Sequence, residues 1–140
     1  DLIKEQIRIA AGKKLSYRQQ DVRIGGHAIE CRINAENPKE QFRPSPGLIT
    51  DVYFPGGKGV RIDTAVYNGY EVPAYYDSML AKLIVHAKTR KEAISKMRSA
   101  LGEVIIEGVD TNVDYQYEIM NHPDYQAGNV DIEFISEKMC

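Results

Sequence analysis

The chain has no Trp and only three Phe in 140 residues, so its core must be built mostly from aliphatic side chains. Cysteine is nearly as scarce: Cys31 and Cys140 cannot make a disulfide framework, and no CxxC pair offers a zinc site. No apolar stretch approaches the roughly 20 residues that a membrane-spanning helix needs. No basic-then-apolar leader opens the chain. Nor is there a basic excess: 18 Lys and Arg face 20 Asp and Glu, a net charge of −2. Neither nucleic acid nor membrane is therefore expected as a partner, and a cytoplasmic location is expected.

The content is that of an ordinary globular chain, with 43% hydrophobic and 27% charged residues. Charge is uneven. Residues 1–50 carry nine basic and six acidic side chains, and residues 51–140 carry nine and fourteen, so the balances are +3 and −5. The basic half fits either an anionic partner or plain solvated surface. Residue 1 is Asp and the first twelve residues already read as helix, so the chain is expected to begin partway through a larger protein and to hold part of an active site.

In that first segment Ile3, Ile7 and Ala10 fall at helical spacing, and Gly12 suits a left-handed cap. After a polar linker, residues 27–36 alternate. Ile29, Cys31, Ile33 and Ala35 share one face, while Glu30, Arg32, Asn34 and Glu36 share the other. Period 2 with one apolar face predicts a half-buried strand. Cys31 is then a small, chemically inert core residue. Pro44-Ser45-Pro46-Gly47 predicts a turn. Residues 48–54 and 59–66, parted by Pro55-Gly56-Gly57-Lys58, predict a hairpin. A strand is predicted over 78–86, with Met79, Ala81, Leu83 and Val85 on one face. Thr89 to Glu92 fits a capping box, and Ile94, Met97, Leu101 and Val104 follow on one helix face as core. A helix over 111–120, closed by Asn121-His122-Pro123, and a short strand over 130–134 complete an α+β unit.

Most chemical motifs fail on spacing. Gly56-Gly57-Lys58-Gly59 is not a P-loop, because no hydroxyl residue follows Lys58 and Pro55 lacks an N–H. His27, His86 and His122 are scattered, so no metal site is expected. Ser45 and Ser78 sit in no nucleophile elbow. Two features remain. Arg32 lies mid-strand on the polar face, with Glu30 and Asn34 roughly 6–7 Å away along the same face. It is either a structural salt bridge or a pre-oriented cation for an oxyanion or carboxylate. Asp77 closes the Pro73-Ala74-Tyr75-Tyr76 loop just before a strand. It either caps local backbone N–H groups or presents a polar group to a ligand.

At Gly26-His27-Ala28-Ile29-Glu30-Cys31-Arg32-Ile33-Asn34-Ala35-Glu36 the chain resembles biotin carboxylase, specifically its C-terminal domain. Phe42-Arg43-Pro44-Ser45-Pro46-Gly47, the segment from Gly69 to Met79, and Gly108-Val109-Asp110-Thr111-Asn112 match further motifs of that family in order. The wording is most like the biotin carboxylase subunit of acetyl-CoA carboxylase, in fatty acid synthesis. The resemblance implies an antiparallel sheet rolled into a barrel-sandwich-like unit with flanking helices. Residues 1–12 correspond to the end of the ATP-grasp region, and 13–140 to the C-terminal domain.

The resemblance also implies a ligase that carboxylates N1′ of carrier-bound biotin using ATP and bicarbonate. Arg32 takes the position of the family's catalytic arginine near bicarbonate and biotin. Asp77 matches an acid near the biotin site, and Arg61 an arginine of the dimer contact, with Lys58 beside it. Asn37, Ala74 and Lys58 depart from the family's common residues, and a lysine at 58 adds charge and removes apolar area at the dimer contact. The implied partners are the biotin carboxyl carrier protein, the upstream ATP-grasp domain and a second copy of the chain. ATP and Mg2+ (or Mn2+) belong to the upstream region, so this chain by itself is expected to hold no cofactor and turn over nothing. It lacks the Met-Lys-Met attachment motif and is not expected to carry biotin covalently. The competing expectation is a non-catalytic dimerisation and carrier-docking module, with Arg32 buried among carboxylates.

Overall fold

The computed structural model describes residues 1–139; Cys140 lies outside the described residues. Helix α1 (Leu2–Ala10) starts on Asp1, whose carboxylate accepts the Lys4 N–H at 3.0 Å. It ends as expected, with Gly12 at φ +75° and the Gly12 and Lys13 N–H groups bonded to the Ile9 and Arg8 carbonyls. None of its residues is buried. A single 3₁₀ turn, Gln19–Asp21, interrupts the linker that follows.

Strand β1 (His27–Asn34) obeys the predicted alternation, and Ile29, Cys31 and Ile33 are buried. The chain then makes the short strands β2 (Glu36–Asn37), β3 (Arg43–Pro44), β4 (Gly47–Leu48), β5 (Asp51–Tyr53), β6 (Val60–Thr64) and β7 (Glu71–Val72). β8 (Met79–Ala87), α2 (Arg90–Glu103), β9 (Ile105–Glu107), α3 (Val113–Asn121), α4 (Pro123–Ala127) and α5 (Phe134–Lys138) follow. The main sheet is antiparallel, in the order β1-β8-β6. One face of it packs on α2 and α3. Cys31, Ile33, Leu83 and Val85 meet Ala93, Met97, Leu101 and Met120 there. The Ile94–Met97–Leu101 stripe is core, as its spacing predicts. A smaller cluster joins Ala35, Ile49, Val72 and Leu80.

Several local expectations are corrected. The hairpin does not form: β6 pairs with β8, and β5 pairs with β9. Both runs contain strands, but each pairs with a distant partner instead of with its sequence neighbour. The Pro44–Gly47 run makes no turn. It links two different ladders, and the Ser45 N–H bonds the Ala35 carbonyl. In β8, Met79 is exposed and Leu80 is buried, because the pairing slips between Ile33 and Asn34 and turns Leu80 toward the second cluster. The capping box is half formed. Thr89 Oγ1 accepts the Glu92 N–H, but the Glu92 carboxylate accepts the Lys88 N–H. Pro123 does stop α3, yet it also opens α4 at a position where a missing N–H costs nothing. The predicted strand over 130–134 is absent: Phe134 instead starts α5, buried against His122 and Tyr125.

The rolled barrel is not closed. Among the described residues the strands form one three-stranded sheet and three two-stranded ladders, β2-β3, β4-β7 and β5-β9.

Candidate functional site

The face of the main sheet turned away from the helices is polar. Register fixes its layout: Arg32 stands opposite Lys82 and Lys82 opposite Asp63, while Glu30 stands opposite Ile84 and Ile84 opposite Arg61. A half-buried isoleucine is thus ringed by Glu30, Arg32, Lys82, Asp63 and Arg61. Neighbouring strands lie about 4.8 Å apart, so Arg32 and Arg61 share one surface.

The Arg32 side chain is 65% exposed, and Glu30 is its ion-pair partner at 3.9 Å. At that length and exposure the pair contributes little to stability. Burial of Arg32 among carboxylates, as the module reading expects, is therefore not what the structure has. Its backbone is held far more firmly. The Arg32 carbonyl accepts from Asn112 Nδ2 at 3.1 Å and from Gln116 Nε2 at 3.5 Å. Asn112 is 5% exposed, and its Oδ1 accepts the Asn34 N–H at 2.9 Å. Spacing on the sequence assigns neither residue to Arg32, since the contacts span 80 and 84 positions.

The loop before β8 is tied to the end of β1. The Ser78 hydroxyl donates to Glu36, Asn34 Nδ2 reaches the same carboxylate at 3.3 Å, and the Ala35 N–H bonds the Ser78 carbonyl. Asp77 is exposed and accepts the Met79 N–H at 2.8 Å, a local cap, which is one of the two roles that the sequence leaves open for it. No ion pair joins Asp77 to Arg32 among the described residues. Tyr75 and Tyr76 stand out from this loop, 92% and 82% exposed.

On β6 the Arg61 guanidinium bonds Asp63 at 2.8 Å. That hydrogen bond holds the Asp63 carboxyl below its usual range and raises Arg61. Lys58 is exposed in the loop before β6, whose backbone is anchored from α2: Lys96 Nζ donates to the Lys58 and His86 carbonyls at 3.0 and 2.9 Å. Beneath the polar face, burial pushes the Cys31 thiol up to about 12, with the Glu30 charge adding to the effect. The thiolate is the reactive form, so inertness follows.

Fold and site together define a helix-backed antiparallel α+β domain that displays an arginine on an open, charged sheet face. A family model described as the biotin carboxylase C-terminal domain matches residues 30–137. The chain belongs to that family. It is 54% identical over 139 residues to the biotin carboxylase of Allochromatium vinosum, covering 99% of this chain and 30% of that protein. It is also 51% identical to a pyruvate carboxylase subunit of Methanothermobacter thermautotrophicus, covering 98% of this chain and 28% of that one. The biotin carboxylase domain dimer of Hydrogenobacter thermophilus 2-oxoglutarate carboxylase, solved with MgADP, ADP and bicarbonate, superposes with a TM-score of 0.95. That match has 47% identity and covers 98% of this chain and 30% of that one. The chain spans about 30% of the length of the curated relatives it matches.

Proposed function

We propose that this chain is the C-terminal domain of an ATP-dependent biotin carboxylase and supplies Arg32 to carboxyl transfer onto carrier-bound biotin. The observation that carries the reading is an exposed guanidinium on a strand whose backbone is clamped at that residue. A ureido nitrogen is a very weak acid. Removing its proton puts negative charge on the urea oxygen, and a fixed cation lowers the energy of that charge without reorganising. Arg32 also suits bicarbonate, since its fork matches planar oxyanions.

ATP and its divalent ion are assigned to the preceding ATP-grasp region, of which residues 1–12 are the end. Among the described residues no group of three or more His, Cys, Asp or Glu is arranged to hold an ion. The chain alone is proposed to be inactive. Asp77 is proposed to face the biotin site from the loop before β8. Arg61 and Lys58 are proposed as contacts of a homodimer, supported by the open face that Arg61 shares with Arg32. The carrier protein is the other partner. A partly rolled sheet and service in a cytoplasmic acetyl-CoA carboxylase belong to the same reading. Close identity to a pyruvate carboxylase subunit supports an acyl acceptor chosen elsewhere in the complex.

The test is Arg32→Gln in the longer polypeptide. Losing one such contact is expected to slow biotin carboxylation by about 10²–10³-fold, with the KM for ATP unchanged. Activity within a few-fold of the parent would return Arg32 to a structural role.

A further inference from the structure

The backbone of β1 is clamped by Asn112, the last residue of the Gly108–Asn112 motif, to which neither alternation nor charge pattern assigns a role. β1 is an edge strand, paired with β8 on one side only. On its free edge Asn112 acts as a one-residue strand. Its main-chain N–H donates to the Asn34 carbonyl at 3.2 Å, its Oδ1 accepts the Asn34 N–H, and its Nδ2 donates to the Arg32 carbonyl. Only one orientation of the amide satisfies both side-chain contacts. Gln116, one turn further along α3, adds a second donor to the same carbonyl.

Asn112 is also the N-cap of α3, yet its side chain makes no capping bond. An N-cap Asn ordinarily accepts a first-turn N–H, and that interaction stabilises the helix. Here the amide is diverted to the strand. It is also the one buried polar side chain among the described residues. The clamp falls where pairing with β8 slips, between Ile33 and Asn34. Without it, the segment carrying Arg32 would have a free edge on one side and an irregular ladder on the other.

We infer that Asn112, seconded by Gln116, is a positioning residue for Arg32: it fixes the strand so that the guanidinium is presented in one place. This rests on the proposed role of Arg32 in carboxyl transfer. Small misplacements of a reacting group are costly, so the clamp should be felt in kcat rather than in nucleotide binding.

The experiment is a double-mutant cycle in the longer polypeptide, with Asn112→Ala, Arg32→Gln and the pair. Asn112→Ala is expected to lower kcat for biotin carboxylation about 10- to 100-fold and to leave the KM for ATP unchanged. In the Arg32→Gln background the same change should cost less than about two-fold, because residues that act as one unit are not additive. Equal losses in both backgrounds, or no loss beside the native Arg32, would overturn the inference while sparing the role of Arg32. Full activity of Arg32→Gln alone would overturn that role and the inference with it. Where Asn112→Ala is too unstable to assay, Gln116→Leu runs the same cycle. It keeps Asn112 intact, and a smaller loss that disappears in the Arg32→Gln background is expected.

Discussion

Arg32 on the edge strand and Lys82 on the central strand stand directly opposite each other, two cations in one cross-strand pair. Like charges so placed repel each other. Glu30, at 3.9 Å, is too distant and too exposed to offset this strongly. Arg32 is thus placed where its charge contributes little to folding. Arg32→Gln should change the stability of the chain by no more than about 0.5 kcal/mol, measured by urea unfolding. A loss of several kcal/mol would mark the residue as structural.

The core makes a contrasting prediction. Met97 is fully buried between the main sheet and α3. Met97→Ala should destabilise the chain by about 2–5 kcal/mol, seen as a fall in the denaturation midpoint with the slope unchanged.

Gly108 follows β9 with φ +97°, and a Cβ there would fall on the Leu48 carbonyl oxygen. Ala is strained in that backbone region and has no room. Gly108→Ala should cost more than about 1 kcal/mol. Gly69→Ala gives the comparison, since Gly69 also has positive φ but nothing within 4 Å of its Cβ position. It should be milder by calorimetry.

Cys31 sets an alkaline limit. Its folded-state value is pushed to about 12 by burial, against roughly 8.5 for a free thiol. Between those values the unfolded chain binds fewer protons than the folded one, so stability falls as pH rises. With Cys140 replaced by Ser, thermal midpoints should drop more steeply from about pH 9 to about pH 11 with Cys31 present than in Cys31→Ala. A thiol reagent should label Cys31 only on unfolding. Prompt labelling at neutral pH would contradict the buried placement.

Much of this molecule is legible along the chain. The alternation over β1 identified the buried face and left Arg32 on the wet one, because strand period alone decides which side a residue takes. Thr89 and the Ile94–Met97–Leu101 stripe fixed the start and the inner face of α2 for the equivalent reason at helical period. The motif order around Arg32, Pro44 and Asp77 carried the family.

Partnership was not legible. The runs flanking Gly56 and Gly57 read as neighbours, yet each strand paired far away, with Val60, Ile62 and Ile106 packed against the main core, because strand pairing is set by tertiary packing and not by sequence proximity alone. The tail from 130 read as strand, but Phe134 found its pocket beside His122 and Tyr125 as the first residue of a helix. Above all, local pattern placed the arginine on its face, and only tertiary contact placed Asn112 behind it. A hydrogen bond across 80 residues leaves no periodic trace. It exists because folding brings a helix terminus to the unpaired edge of a strand, where buried backbone groups must find partners.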